Sequence, residues 1–297
     1  MRHRSVLLQE VLTGLEPKKG GVHLDLTLGD GGHAEAISER VGRRGHVIGL
    51  DRDTSAVMRA EAFLAHPSSR ITFRAVAWSE LGAVLNDAGE NAIDTALFDL
   101  GMSLFDLEES GKGFSFQREE PLQMTYGNPA EAVFTASDIV NSWDEEHLKD
   151  ILLGYGEEKN ASRLAKAIVS RRARGPIKTT RDLVEVIESV LHRGKIHPAT
   201  KTFQALRMAV NNEVGELEKA LPAVWSYLNR GGRLAVISFE SITDRVVKRF
   251  MKACESSGEG KRINKKVIRA RREEGISNPR ARSAKLRIIE KKNEHQE

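Results

Sequence analysis

Asp25-Leu26-Thr27-Leu28-Gly29-Asp30-Gly31-Gly32-His33 is the stretch that decides the fold. The run Val22-His23-Leu24-Asp25-Leu26, which leads into it, has the pattern of a short strand, and Ala34 to Val41 has the spacing of a helix. Three glycines in the turn between them let the backbone come close to a ligand. The helix N-terminus that follows favours polar or anionic groups. About 20 residues on, His46-Val47-Ile48-Gly49-Leu50 reads as a second strand and ends on Asp51. An acid at that place can accept from both hydroxyls of a ribose. Turn and acid together indicate a nucleoside-containing cofactor at the carboxyl edge of a parallel sheet.

The pattern repeats outward. Ser55 to Leu64 is helical, Ile71 to Ala75 is a third strand, and Thr95-Ala96-Leu97-Phe98 is a fourth, ending on Asp99. Strands separated by helices form βαβ units and a mainly parallel sheet. Ligands of such sheets bind beyond the carboxyl ends of the strands, which turns Asp99 toward the same cleft as Asp51.

The alternation then stops. Gly101 to Pro129 has no clear period; a loop of that length inside a compact domain is usually functional or disordered, and the aromatic pair Phe114 and Phe116 argues against plain disorder. Ser142-Trp143-Asp144-Glu145 has capping-box spacing ahead of a helix over Glu145 to Leu153, and Ala161 to Arg174 continues as helix. Thr179 to Asp182 reads as another cap, before Leu183 to Leu191. Thr202 to Leu221 reads as one long helix with Phe203, Leu206, Val210, Val214 and Leu217 on one face. The α/β pattern resumes at Gly231-Gly232 with the buried strand Arg233 to Phe239, then a helix over Asp244 to Lys252. Lys265 to Ala270 and Ala284 to Ile289 read as two final strands, apolar on one face and basic on the other. The expected architecture is an α/β sheet interrupted by an inserted helical domain. The core covers 1–103 and 206–297, and the insertion, assigned to substrate recognition, covers 104–205.

Composition narrows the function. Hydrophobic residues make up 40% and charged residues 30% of the 297, an ordinary soluble globular profile. There is no apolar run of about 18 residues for a membrane span. Met1-Arg2-His3-Arg4-Ser5 leads to an apolar stretch soon broken by Gln9 and Glu10, which does not fit a signal peptide. Cys254 is the only cysteine, so intrachain disulfides and a cysteine zinc site are excluded, and a reducing cytoplasm suits the chain. The nine histidines lack ligand spacing, and no metal centre is expected. The net charge of +4 is unevenly spread. Residues 241–297 hold 17 Lys/Arg against 8 Asp/Glu, and the first 240 hold 29 against 34. A basic end on an acidic body suits a polyanionic partner or, equally, a solvated face.

The glycine turn lacks the third glycine of a dinucleotide site, and no Walker A lysine is present. A cofactor without phosphates fits better, and S-adenosylmethionine is the candidate. His33 either contacts that ligand or caps the following helix.

These residues belong to longer blocks. Ser5-Val6-Leu7-Leu8-Gln9-Glu10-Val11, Gly29 to His33, Asp51-Arg52-Asp53 and Asp99-Leu100-Gly101 are followed by Arg118 to Leu122 and Tyr155 to Lys159. The longest are His197 to Arg207 and Asn278 to Ser283. In these blocks, across nearly its whole length, the chain resembles the MraW/RsmH family. Its members are S-adenosylmethionine-dependent enzymes that methylate the exocyclic N4 of a cytidine in the decoding region of bacterial 16S rRNA. The resemblance implies a Rossmann-like class I methyltransferase core with a helical insertion. It also implies that Gly31, Gly32 and His33 line the methionine part of the cofactor, that Asp51 holds the ribose, and that Asp99 contacts the cofactor. Trp78 falls where the family has Phe beside the adenine, and Asp106 where it has a cofactor-contacting Gln. Glu240 stands where the family has His, and Met124-Thr125-Tyr126-Gly127 replaces Met-Arg-Met-Asp.

A cytosine N4 is a poor nucleophile because its lone pair is delocalised, so acceptors near its N–H must raise its electron density. The Asp/Asn-Pro-Pro-aromatic loop of related amine methyltransferases is replaced here by Asp99-Leu100-Gly101-Met102-Ser103. Asp99 and Ser103, with the Gly101 carbonyl, are therefore the candidate catalytic groups. The target base must be unstacked; Phe114 and Phe116 either stack on it or pack in the core. Lys201, Arg207, Arg245, Arg280 and Arg282 are candidates for RNA phosphate contacts, each with an ion pair as its alternative. The window 261–287 holds 11 Lys/Arg and 2 acids. Two other functions compete, a non-catalytic RNA-binding or assembly factor and a nicotinamide-dependent oxidoreductase; the incomplete glycine pattern argues against the second. Monomer and homodimer are both left open.

Overall fold

The apolar runs that read as strands become the middle of a sheet in the computed structural model, which describes residues 4–127, 132–192, 194 and 196–292. Met1-Arg2-His3, and Asn128-Pro129 at the end of the irregular segment, lie outside the described residues. In chain order the first elements are α1 (Leu8–Leu15), β1 (Val22–Asp25), α2 (Gly32–Val41), β2 (His46–Asp51), α3 (Thr54–Phe63), β3 (Arg70–Ala75), α4 (Leu81–Asp87) and β4 (Ile93–Asp99). Six helices follow: α5 (Leu104–Glu108), α6 (Ala136–Ser142), α7 (Glu145–Gly154), α8 (Ala161–Arg172), α9 (Thr180–Val190) and α10 (Ala199–Val210). The chain closes with α11 (Glu213–Tyr227), β5 (Leu228–Ser238), α12 (Ser241–Ser256), β6 (Gly260–Arg262), α13 (Arg272–Ser277) and β7 (Lys285–Lys291). It divides into two compact units, Met1–Gly101 with Val214–Glu297, and Met102–Glu213.

The first unit is built on a seven-stranded sheet of order β3-β2-β1-β4-β5-β7-β6. The strands from β3 to β5 pair in parallel; β7 runs antiparallel to β5, and β6 antiparallel to β7. Successive side chains point to opposite faces of a strand, and here both faces are covered. Leu24, Ile48, Ala96, Phe98 and Val236 pack under α4, α11 and α12, against Leu85, Leu221 and Met251. Val47, Leu97, Ala235 and Ile237 face α1, α2 and α3, against Leu15, Ile37 and Ala60. Each fully buried Phe or Ile contributes about 1.5–3 kcal/mol of transfer free energy. The strand order reverses between β1 and β4, so the ends of these two strands bound a crevice.

One strand is misplaced in the sequence reading. The penultimate strand is Gly260–Arg262, and the stretch 265–270 pairs its backbone with β7 through the isolated Ile268–Leu286 bridge. Asn264 is the reason: its amide nitrogen donates to the Leu286 carbonyl and its oxygen accepts from the Ile288 N–H, replacing ladder partners there. The alternation still sorts the side chains. Lys265, Lys266 and Arg269 are exposed while Val267 and Ile268 are partly buried.

The second unit packs its helices around Ile139, Leu148, Leu152, Leu164, Ile168, Leu183, Ile187, Phe203 and Leu206. Thr179 caps α9 as the sequence indicated, accepting from the Asp182 N–H. The cap of α7 is Asp144, which accepts from the His147 N–H, whereas Ser142 is the last residue of α6. An ionised carboxylate at that place also complements the helix dipole. The irregular segment is anchored by the Pro121–Thr179 bridge and by the Met124 N–H donating to the Lys112 carbonyl. Phe114 is buried and stacks on Tyr126 at 5.3 Å; Phe116 stacks on His197 at 4.5 Å. Both rings are engaged in packing.

The single long helix expected over 202–221 is two helices. Asn212 sits at φ 46°, which no right-handed helix accommodates, and the Asn211 side chain bonds the Met124 carbonyl and the Tyr126 N–H. Asn tolerates the left-handed region better than other non-glycine residues. The second unit accordingly runs to Glu213, past the expected boundary at 205, and begins at Met102. Replacing Asn212 by Val is expected to cost about 1–2 kcal/mol, while Gly stays within a few tenths of wild type. Urea midpoints at constant slope would check this, and an unaffected Val variant would contradict it.

Candidate active site at the carboxyl edge of the sheet

Three strand ends of the first unit are tied together by the turn after β1. Asp25 closes β1, and its Oδ1 accepts from the Thr27 N–H at 3.0 Å. The Thr27 hydroxyl accepts from the Asp99 N–H at 2.6 Å, joining the turn to the end of β4. Asp51 at the end of β2 accepts from the Gly29 N–H through Oδ2 at 2.9 Å and from the Asp53 N–H through Oδ1 at 3.0 Å. Asp51 thus fixes the turn as well as standing at the predicted ribose position.

Two of the turn glycines have a reason the sequence did not show. Gly31 has φ 82°, and a Cβ there would meet the Leu64 side chain at 2.9 Å and the Ala60 Cβ at 3.2 Å. A Cβ on Gly32 would fall 2.3 Å from the Ser5 hydroxyl. The lack of a side chain is demanded first by the protein's own packing.

His33, in the first turn of α2, is buried, and its Nε2 lies 3.7 Å from Asp99 Oδ2, beyond hydrogen-bond reach. Both His33 ring nitrogens, Asp99 Oδ1 and Asp25 Oδ2 are buried without a hydrogen-bond partner. Each such atom costs about 1–3 kcal/mol, and more on a charged group. Four of them in residues around the β1–β4 crevice mark a place shaped for polar ligand atoms. Trp78, in a 3-10 turn after β3, donates from Nε1 to the Leu26 carbonyl at 2.6 Å. Its ring meets Phe98 edge-on at 5.1 Å and remains partly exposed. The indole is held beside the same crevice.

Asp25 closes β1 as Asp51 closes β2 and Asp99 closes β4. The signal that picked Asp51 and Asp99, an acid closing a parallel strand, applies to it equally. Burial pushes its carboxyl up to about 6, with His33 and the Thr27 N–H pulling the other way. The proton is held more tightly folded than unfolded. The stability from this group is therefore full below its usual value of 3.8 and is lost as pH rises through about 6. Without added cofactor, Asp25→Asn should gain stability relative to wild type across that window. Thermal midpoints at both ends of the window would read this; a pH-independent difference would refute it.

Other predicted residues have local work. Ser103 and Asp106 form a capping box at α5. The Ser103 hydroxyl donates to Asp106 Oδ2 at 2.7 Å and accepts from the Asp106 N–H at 3.0 Å. The Asp in place of the family's Gln therefore makes a helix cap, with an ionised group in the first turn. Glu240 lies at the N-cap position of α12.

Of the predicted phosphate contacts, Arg207 is corrected. It is 5% exposed and forks onto Glu213, Nε to Oε1 at 2.7 Å and Nη2 to Oε2 at 2.9 Å, so it ties α10 to the start of α11. Lys201 donates to the Glu157 carbonyl at 2.8 Å. Arg245 is exposed on α12 and Arg280 is partly buried. Arg282 is exposed, with Nε on the Gly275 carbonyl at 2.7 Å. Lys265, Lys266, Arg269, Arg271 and Arg272 are also exposed.

The sequence profile of the MraW methylase family matches residues 1–292. The chain is 42% identical to the "Ribosomal RNA small subunit methyltransferase H" of Oleidesulfovibrio alaskensis, over 97% of this chain and 95% of that protein. The protein of the same name from Heliobacterium modesticaldum is 43% identical over 97% and 98% of the two chains, and that from Acidiphilium cryptum 40% over 98% of each. A split parallel sheet with a polar crevice at its reversal point and this span of likeness lead to one conclusion: the chain belongs to the MraW methylase family.

Proposed function

We propose that this protein transfers a methyl group from S-adenosylmethionine to the N4 of a cytidine in the 16S rRNA of the small ribosomal subunit. The observation that carries the reading is the set of unsatisfied buried atoms on Asp25, His33 and Asp99 at the strand reversal. Carboxylates that each keep one unsatisfied oxygen in this crevice suit a cationic ligand, Asp51 suits a ribose diol, and the partly exposed Trp78 suits a flat base. The residues present therefore fit the donor. When bound, S-adenosylmethionine supplies a methyl carbon made electrophilic by its sulfonium.

The chain's own part is placement and charge. Asp51 holds the ribose, Trp78 covers the adenine, and Gly31 to His33 with Asp99 hold the methionine end. Asp99 is also the acceptor for an amine N–H, drawing electron density onto the nitrogen. Holding the amine in line with the donor would supply much of the acceleration. The exposed cations at 265, 266, 269, 271, 272 and 282 support an RNA substrate through its phosphates. The second unit is assigned to substrate recognition.

The test is methylation of small subunits from a strain lacking the endogenous enzyme, read by nucleoside mass spectrometry. N4-methylcytidine is expected, and unmodified or 5-methylated cytidine overturns the reading. Donor binding without transfer would favour the assembly-factor role instead. In the same assay Asp99→Asn should lower turnover by about 100-fold, within the range of acid–base contributions. Full turnover in that variant would remove Asp99 from the acceptor role.

A further inference from the structure

The N-terminal residues of the first unit are bent into place by the C-terminal segment of the same unit. Leu7, at the N-cap of α1, sits at φ 54° and has no side-chain cap. A bulky residue in this left-handed conformation persists only where its surroundings over-determine it. Glu274 of α13 does so: its Oε1 accepts from the Leu7 N–H at 2.8 Å. Three residues earlier, the Arg4 carbonyl accepts from the Asn278 side chain at 3.0 Å. The Arg4 guanidinium donates to the Ser277 hydroxyl at 2.9 Å. Between these clasps Ser5, Val6 and Leu7 are buried. Ser5 rests on Gly32, closely enough that a Cβ on that glycine would overlap its hydroxyl. Val6, Leu7 and Val11 pack in one cluster with Ala34 and Ile37 of α2 and with Ala281 and Ala284.

We infer that Glu274 is a positioning residue for the turn Gly31–His33, acting through Leu7 and Ser5. It acts through the backbone of Leu7. Its carboxylate satisfies a buried N–H at a helix N-terminus, where a negative charge is also favoured by the helix dipole. That bond holds the strap in the one path that sets Ser5 against Gly32. Ser5 is the neighbour of Gly32 as Leu64 and Ala60 are the neighbours of Gly31. Asn278 secures the other end. Donor affinity is then linked to the ordering of residues far along the chain from the turn, beside the exposed Arg271, Arg272 and Arg282. The consequence for the donor rests on the reading that this turn holds the methionine end; the effect on the turn does not.

Two measurements on the full chain test it. The first is hydrogen exchange of the protein without added cofactor. Glu274→Ala should speed exchange of the amides around 7–8 and 32–35 by about tenfold, with the β2 amides at 47–50 unchanged. The second is titration with S-adenosylhomocysteine, where Kd should rise about tenfold, equivalent to about 1.4 kcal/mol. Glu274→Gln keeps an oxygen for the Leu7 N–H and should restore both readouts. Asn278→Ala should move both in the same direction, by about threefold, and it carries the test if Glu274→Ala does not fold. Unchanged exchange at 32–35 overturns the proposal, as does a rise that includes β2, which marks a merely structural role. Faster exchange confined to the strap and turn, with no ligand binding even in wild type, upholds the positioning and overturns the donor reading.

Discussion

Asp51→Ala should abolish measurable donor binding, weakening the Kd for S-adenosylhomocysteine by about 100-fold or more. Two losses combine. The carboxylate is the proposed acceptor for both ribose hydroxyls, and hydrogen bonds to a charged group contribute about 1.5–3 kcal/mol each. It is also the acceptor for the Gly29 and Asp53 N–H groups, so its removal releases the turn that shapes the rest of the crevice. Asp51→Asn separates the two effects. It keeps an oxygen for one N–H but loses the charge, and about a tenfold loss is expected. Calorimetric titration reads both variants, with the thermal midpoint as control. Binding within about threefold of wild type in the alanine variant would remove Asp51 from the site.

Arg207→Ala should destabilise the second unit by about 3–5 kcal/mol. The guanidinium and the Glu213 carboxylate are both largely buried and bonded at 2.7 and 2.9 Å. Removing one partner leaves the other charge desolvated, which costs far more than the pair contributed relative to an apolar replacement. The double variant Arg207→Met with Glu213→Leu should therefore recover most of the loss. Urea unfolding of the single and double variants checks this. At a temperature where Arg207→Ala is folded, the salt dependence of its RNA binding should match wild type. A slope reduced by about one, with stability untouched, would return Arg207 to the RNA surface.

These two residues show how far the sequence reaches. Asp51 was legible because its signal is local: a period-two apolar run, then an acid, at a fixed interval from a glycine turn. The same local rule picks out Asp25, which also closes a parallel strand. For Arg207 the sequence leaves phosphate contact and ion pair both open, because its character depends on where α10 stops. That is decided at Asn212, by a backbone conformation that helical periodicity does not report. The break appears only when Asn211 is seen clasping residues 124 and 126, far away in the chain. The strand misplaced to 265–270 has the same origin, since Asn264 takes over the ladder from a side chain.

The sequence by itself determined the alternation of strands and helices, the strand-end acids, the glycine turn and the basic face of the last segment. All of these follow from side-chain period and local backbone chemistry, which a linear pattern carries. Tertiary structure alone decided which charges are buried, which glycines make room for neighbours, and that Glu274 reaches back to Leu7. Those depend on residues brought together from opposite ends of the chain, where desolvation and close packing give a side chain a role its neighbours in sequence do not reveal.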